Sequence, residues 1–429
     1  MKGRPSTTLL PSRRGFLSVS AAAIGSLRSK AADAPPQAAD GELNPTYLRN
    51  AIRLGCGWIT DVAQIKADKI NGTETNSRQL GYKHWRGALR SDYRAAERKW
   101  DFSSPMSHTG QAIKALVMSS RVLEDEQYVA AARISADFIG AERNADRRSK
   151  NFGLVYAYEY KTEEVNTSAL FESLDGLFFL AEATSDRKYS DWALDAAFWA
   201  ARNAYIGEGL FRDAFDVKTG QFVAAPWQSE KPGRPLLDDA ITLKAYKQTK
   251  NALCKKIFFA TAERLLKEEE SPGNWSHYPP ASRSTYGHPR QSYWWGCPMI
   301  DAYRETGDRR YLDCARRVGD WYLHLTRDES DPFHGSLRAS AGLDTSGMAC
   351  AAILWLELYQ ETKDARWRSA ARRALRYCLN MQFREVQDPN LKGALLEQVL
   401  PPNGSDRSPF YVRDMATILF VQAACRMLT

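Results

Sequence analysis

The chain has no CxxC pair, no HExxH, no Gly-x-x-x-x-Gly-Lys loop and no zinc-finger spacing in its 429 residues. The usual sequence signs of zinc chemistry, nucleotide binding and dithiol redox work are therefore missing. Its seven cysteines (Cys56, Cys254, Cys297, Cys314, Cys350, Cys378 and Cys425) are scattered and odd in number. That pattern speaks against a disulfide framework and for single thiols packed in helices. No apolar run reaches the roughly 20 residues that a bilayer-spanning helix needs. No metal or organic cofactor is called for by any motif.

A strong charge of one sign is also missing. The formal net charge is +8, but Lys2, Arg4, Arg13, Arg14, Arg28 and Lys30 against Asp33 put +5 of it in residues 1–34. The remainder, 8 − 5, is about +3. That is too little to indicate a nucleic-acid partner, and it is compatible with an acidic polysaccharide or oligosaccharide. The first residues read instead as an address. Ser12-Arg13-Arg14-Gly15-Phe16-Leu17 precedes the small apolar run Ser18–Gly25, and Ala32-Asp33-Ala34 has the A-x-A form of a cleavage site. We expect a twin-arginine export signal over 1–34, a linker over 35–44, and one domain over 45–429, in the periplasm or secreted.

What the chain has in quantity is repetition. Leu123-Glu124-Asp125, Thr184-Ser185-Asp186, Thr249-Lys250-Asn251, Thr306-Gly307-Asp308 and Thr362-Lys363-Asp364 recur at steps of 61, 65, 57 and 56 residues. The Asp or Asn in third place suits the N-cap of a following helix. A small or apolar run precedes each turn, as in Gly347–Trp355, and an amphipathic run follows, as in Trp367–Leu375. The first fits an inner helix buried on most sides, the second an outer helix with a wet face. Pro45–Gln64 and Phe410–Met427 supply a sixth pair that joins the termini, and residues 67–106 offer a seventh. The expected fold is all-α: a single-domain closed toroid of helical hairpins, an (α/α)6 or (α/α)7 barrel.

Five irregular segments, 67–106, 205–235, 270–290, 328–343 and 384–407, lead into inner-helix starts, which share one rim of a toroid. Ile206–Val223, with Gly207, Gly209 and Gly220, reads as a small strand hairpin. Polar residues crowd these starts: His108 and Gln111, Asn166, Asp238-Asp239, Asp344, and Arg413-Asp414, with Glu397 just before the last. The densest stretch is Tyr286–Pro298, which brings His288, Arg290, Tyr293 and Trp294-Trp295 to one helix start. Aromatics beside cationic groups suit a flat, oxygen-rich, anionic ligand.

Two chemistries fit. β-Elimination from a uronic acid needs a base at C5, an acid at the leaving oxygen and a neutralised carboxylate. Tyr293, His288 and Arg290 are the catalytic candidates, with His108, Gln111, Asn166, Asp239, Trp294, Trp295, Asp344, Glu397 and Arg413 as substrate-binding candidates. Glycoside hydrolysis needs carboxyl groups about the scissile bond, or one acid protonating a reactive double bond. Asp238, Asp239, Asp344, Glu397, Asp414 and Asp175 are candidates for it. Only one of Trp294 and Trp295 can face a cavity, because adjacent helical residues point about 100° apart; Trp85, Trp227 and Trp275 are further stacking candidates.

Over residues 45–428 the hairpin period resembles the six-hairpin glycosidases and the (α/α)-toroid polysaccharide lyases. The single-domain layout and the His288, Arg290, Tyr293, Trp294-Trp295 stretch are most similar to toroidal lyases acting on glucuronan or alginate, polysaccharide lyase family 38. That resemblance implies a tyrosine acid/base at Tyr293 and uronate binding by Arg290 and His288. The Asn-Asn-His motif of another toroidal alginate lyase family is absent. Unsaturated glucuronyl hydrolases and related glucuronidases share the fold and give the alternative, a hydrolase of glucuronides or unsaturated uronyl oligosaccharides. A non-catalytic carbohydrate-binding protein of the cell envelope is the third reading.

Overall fold

The Thr-x-Asp turns act as one repeated device. Thr306 donates its hydroxyl to Ala302 O at 2.8 Å and closes the last turn of an inner helix, while the Asp308 N–H donates back to Thr306 Oγ1 at 3.1 Å. The middle residue is left-handed, at φ 72° for Gly307, 55° for Ser185, 59° for Lys250 and 56° for Lys363. It reverses the chain. Asp308 then accepts the Arg310 N–H at 2.9 Å and caps the outer helix. Thr184/Asp186, Thr249/Asn251 and Thr362/Asp364 repeat every bond of this set. Asp125, one residue before the N-cap, accepts the Gln127 N–H at 3.1 Å without the threonine.

The structure is a computed structural model. It describes residues 43–429 apart from 160, 162, 225–232, 276, 279–287, 327–343 and 398–410, with only the backbone of Asp344 and Tyr411. The twin-arginine stretch, most of the linker, Trp227, Tyr286 and the Asp344 side chain lie outside the described residues.

In chain order the helices are α1 (Pro45–Gly57), α2 (Pro105–Leu123), α3 (Gln127–Ala141), the short α4 (Thr167–Glu172), α5 (Asp175–Thr184), α6 (Arg187–Asn203), α7 (Ile241–Thr249), α8 (Ala252–Lys267), α9 (Cys297–Thr306), α10 (Arg309–Leu325), α11 (Asp344–Thr362), α12 (Ala365–Asn380) and α13 (Asp414–Leu428). Hairpins α2/α3, α5/α6, α7/α8, α9/α10 and α11/α12 each join an inner helix to an outer one. The last helix, α13, packs on both α11 and α2, and α1 lies against α13 and α2. This is the arrangement of an α/α toroid. Residues Asp414–Cys425 of α13 are all buried, whereas outer α12 turns its arginines outward and buries Trp367, Ala370, Ala374 and Cys378. All seven cysteines are unpaired, Cys297 half-buried and the rest buried.

Residues 67–104 form no seventh hairpin. Gly72, Gly81 and Gly87 interrupt them, and alternating apolar residues make strands instead: β1 (Glu74–Thr75), β2 (Asp92–Arg94) and β3 (Lys99–Asp101). Tyr93 and Trp100 sit opposite one another in the β2/β3 ladder with ring centroids 4.8 Å apart. The expected helix from Phe410 starts only at Asp414. Tyr411–Arg413 are a strand that pairs antiparallel with β2 and so ties the C-terminal segment to the N-terminal one. Within 206–223 the expected strands do form, as two successive hairpins, Tyr205–Gly207 with Leu210–Phe211 and Ala214–Asp216 with Gln221–Val223.

The rim segments are fastened to the ring by glycines. Gly393 (φ +93°) lies so close to α1 that a Cβ would stand 2.2 Å from Leu54 O; at Gly153 (φ +89°) it would stand 2.4 Å from Asp195 O of α6. No other residue fits such an approach. The same contact recurs at Gly87 on α3, Gly209 on α8 and Gly273 on α10.

The turn device predicts opposite effects for neighbouring positions. Asn251→Ala removes two cap bonds and is expected to cost about 1 kcal/mol in urea unfolding. Lys363→Gly relieves a left-handed lysine and is expected to gain about 0.5 kcal/mol.

Candidate active site

The rim segments and inner-helix starts enclose a cavity of about 210 Å³. Asn166 ends a strand (Glu164–Asn166) that pairs with Ala214–Asp216, and its side chain caps α4 by accepting the Ala169 N–H at 2.9 Å. Residues 168 and 172 then fall one helical turn apart, so Ser168 and Glu172 share the cavity face. Ser103, Ser104 and Ser107 with His108 come from the start of α2, and His288, Arg290 and Trp294 from the approach to α9. Arg78, Glu159, Arg234 and Arg413 complete the wall.

Two carboxyl groups meet at one hydroxyl. Ser168 Oγ lies 3.5 Å from Glu172 Oε1 and 3.1 Å from Asp238 Oδ1, and all three residues are buried. Burial, with Asp238 close by, pushes Glu172 up to about 8 against the pull of Arg290. Burial likewise pushes Asp238 up to about 7 against Arg234. Like charges so near each other cannot both ionise readily, so the pair holds a proton around neutrality.

The opposite character comes from cations. Arg234 is held by Asp213 at 2.5 and 3.1 Å, and Arg413 by Asp92 at 3.1 Å. Arg290 rests over Trp294 at 5.1 Å, and its Nε is buried with no hydrogen-bond partner among the described residues. His288 stacks on Trp294 at 4.7 Å. Burial, together with Arg290, Arg234 and Arg413, drives its pKa well down, so the ring is neutral. Its Nδ1 accepts the Arg290 backbone N–H at 3.2 Å, which places the proton on Nε2. His288 is therefore a hydrogen-bond donor here. His108 Nδ1 lies 2.7 Å from the buried carboxylate oxygen Oδ1 of Asp414.

The sequence candidates divide between this cavity and the core below it. His108, Asn166, His288, Arg290, Trp294 and Arg413 line the cavity. Tyr293 does not. Its hydroxyl donates to Asp239 Oδ1 at 2.5 Å, lies 3.1 Å from Gln111 Oε1 and accepts from Lys114 Nζ at 2.8 Å. Gln111 and Asp239 belong to the same buried knot, Gln111 Nε2 donating to Asp239 Oδ2 at 2.7 Å. Burial first, then Asp239 and Asp175, push Tyr293 well above the usual phenol range. This buried phenol, its hydroxyl engaged by Asp239, Gln111 and Lys114, lies off the cavity wall, which differs from the expectation for Tyr293. Trp295 packs edge-on against Trp275, at 5.3 Å, and Trp85 packs on Phe102, so these rings are core. Glu397 accepts the Ser346 N–H and hydroxyl at 3.2 and 2.6 Å and thereby caps α11 from another segment.

Sequence reasoning missed Glu172, Lys114, Arg78, Glu159 and Arg234. The one readable signal was the i, i+4 spacing of Ser168 and Glu172 behind the Asn166 cap. Lys114 joins Asp175 Oδ2 at 2.5 Å to Asp239 Oδ1 at 2.8 Å. Burial alone would lower its pKa, but Asp175 and Asp239 raise it overall. Asp175 also bonds Lys244 and, in spite of burial, is held down to about 2.

A larger groove of about 820 Å³ lies on the outer face between α8 and α10. Its arginines are already engaged, Arg310 by Glu263 and Arg264 by Glu268, at 2.8 and 2.7 Å. We therefore place the site at the rim. Among the described residues there is no group of three or more His, Cys, Asp or Glu able to hold a metal ion, and no helix long and apolar enough to cross a membrane.

No protein-family model and no curated protein matches the sequence. Solved structures do match in shape. An unsaturated glucuronyl hydrolase specific for heparin superimposes with a TM-score of 0.63 at 14% identity, over 90% of this chain and 97% of its own. An unsaturated glucuronyl hydrolase from Bacillus sp. GL1, responsible for glycosaminoglycan degradation, gives 0.61 at 16% identity, over 89% and 96%. A glycoside hydrolase family 76 mannosidase from Bacteroides thetaiotaomicron gives 0.58 at 12%, over 89% and 98%. At such identities the likeness is one of fold.

Lys114→Met leaves Asp175 and Asp239 as buried carboxylates with one cation fewer between them. The expected loss is about 3–5 kcal/mol in denaturant unfolding. A loss under about 1 kcal/mol would mean that water reaches this knot.

Proposed function

We propose that the protein is a glycoside hydrolase built as a closed (α/α)6 toroid and acting on uronate-bearing oligosaccharides. The favoured substrate is an unsaturated uronyl residue at a chain end. Export by the twin-arginine route to the periplasm or beyond goes with this reading. The observation that carries it is one cavity shared by a proton-holding carboxyl, Glu172, and by Arg290, whose Nε waits without a partner among the described residues.

Glu172 lines the cavity, and Asp238 is joined to it through Ser168 from behind the lining. One raised carboxyl at the cavity, with its partner carboxyl on the same side, suits a single protonation better than the two-sided arrangement of ordinary glycoside hydrolysis. The substrate that needs only one protonation is a 4,5-unsaturated uronide. Glu172 gives its proton to C4, and the ring oxygen stabilises the cation left at C5. Water adds to C5 and loses a proton, which restores the acid. The hemiketal opens, and the aglycone leaves from C1. Arg290 and the Nε2–H of His288 hold the uronate carboxylate, and Trp294 gives the sugar a flat face. The cavity, below the ~300–1,000 Å³ of larger ligand sites, suits one terminal sugar.

The lyase suggested by the sequence pattern is less well served. Its acid/base tyrosine would be Tyr293, whose hydroxyl is fully engaged below the cavity. Its base would be His288, whose proton-free nitrogen is turned to the Arg290 backbone. Polymer cleavage by elimination creates a C4–C5 double bond and raises ultraviolet absorbance, whereas hydrolysis of an unsaturated disaccharide removes it. We expect the absorbance of unsaturated uronyl disaccharides to fall with enzyme. A rise with glucuronan or alginate and no fall with disaccharides would sink the proposal.

Glu172→Gln is expected to lower kcat by about 10²–10⁴-fold. In the wild type, kcat should decline as pH rises through about 8 and the acid loses its proton. Stability follows the same group. Between its ordinary 4.5 and about 8, folded Glu172 keeps a proton that the unfolded chain has lost, so wild-type stability falls as pH rises through that window. Glu172→Gln should therefore raise the melting temperature relative to wild type more at pH 8 than at pH 5. An equal difference at both pH values would show an ordinary carboxyl.

A further inference from the structure

Asp238 and Asp239 are adjacent in sequence and face different surroundings. Asp238 turns to Ser168 and so to Glu172. Asp239 turns into the core, where Gln111 and Lys114 from α2 and Tyr293 from the approach to α9 all donate to its carboxylate. The backbone between them and α7 is left-handed at two successive residues, φ 49° at Asp239 and 53° at Ala240. Neither is a glycine, and non-glycine residues hold that conformation in succession only where their surroundings impose it. Both are buried. Ala240 gives α7 no side-chain cap.

We propose that Asp239 is a positioning residue for the carboxyl pair: its three donors fasten the left-handed turn, and the turn sets the direction in which Asp238 projects beside Glu172. The kinetic consequence rests on the hydrolase reading; the structural consequence does not. The charged groups that face the pair are Arg234 from the segment before the turn, Arg290 from the approach to α9, Glu159 from the segment after α3, and Asp239 itself.

Tyr293→Phe is the test variant, because it removes the 2.5 Å donor to Asp239 without changing charge and with little change in volume. Tyr293 is absent from the cavity wall, so KM for an unsaturated uronyl disaccharide should stay within about twofold while kcat falls about 10–100-fold. In an Asp238→Asn background the same change should add nothing, since its effect runs through Asp238. Carboxyl carbon NMR of Asp238 and Glu172 gives a readout without turnover, and Tyr293→Phe should displace their titration. Unchanged kcat and titration with only a lower melting temperature would overturn the proposal. So would losses that multiply with Asp238→Asn, or a loss beyond about 10⁴-fold, which would put Tyr293 in the chemistry itself. Wild-type protein inert toward every uronyl substrate would remove the hydrolase reading, and the titration would decide the positioning role by itself. Should Tyr293→Phe fail to fold, Gln111→Met removes the Asp239 Oδ2 donor and is read the same way.

Discussion

An ammonium group buried among inner helices has to be answered from several of them at once. Lys114 is that group. It projects from α2, and its partners are Asp175 at the start of α5, Asp239 before α7 and Tyr293 before α9. Gln422 of α13 joins through Gln111. Five of the inner segments thus share one set of charges and hydrogen bonds. Apolar packing alone would let inner helices slide or rotate by small amounts, because it is non-directional. A buried charge does not allow that, since each lost contact leaves an uncompensated ion.

The same knot makes the cavity above it usable. Two neighbouring aspartates meet different partners on either side of one turn. Asp239 spends its charge on Lys114, and Asp238 keeps company with a protonated carboxyl and a serine. The cavity then combines a raised carboxyl, Glu172, with Arg290, whose Nε has no hydrogen-bond partner among the described residues. This combination is the one on which the proposed uronide hydrolase rests.

The architecture was legible because helical hairpins repeat and their turns are chemical. A threonine that closes one helix and an aspartate that opens the next leave a mark every 56–65 residues. The seventh hairpin that 67–106 offered gives way to strands, in which Tyr93 and Trp100 face each other across a ladder. The site was half legible. His288, Arg290 and Trp294 stand out by composition. Tyr293 stands out equally and points elsewhere, because residues one apart on a helical turn diverge by about 100° and sequence does not say which of them faces in. Lys114 sits within an apolar inner helix, where a lone charge looks like an exception and its partners lie about 60 to 180 residues away.

The glycines pressed against the outer helices have a consequence for how such a protein can change. The chain crosses from each glycine to the next inner helix along 88–104, 154–166, 210–237, 274–291 and 394–413. These are the stretches that carry Ser103, Glu159, Arg234, His288 and Arg413 to the cavity. Each is a span moored at both ends, and their lengths differ by about twofold. Closing a loop of doubled length costs only about 0.6 kcal/mol in chain entropy. Chain entropy therefore sets little limit on the length of a span between its moorings, and the limit comes from the packed residues a span carries, as Tyr93 and Trp100 do in 88–104.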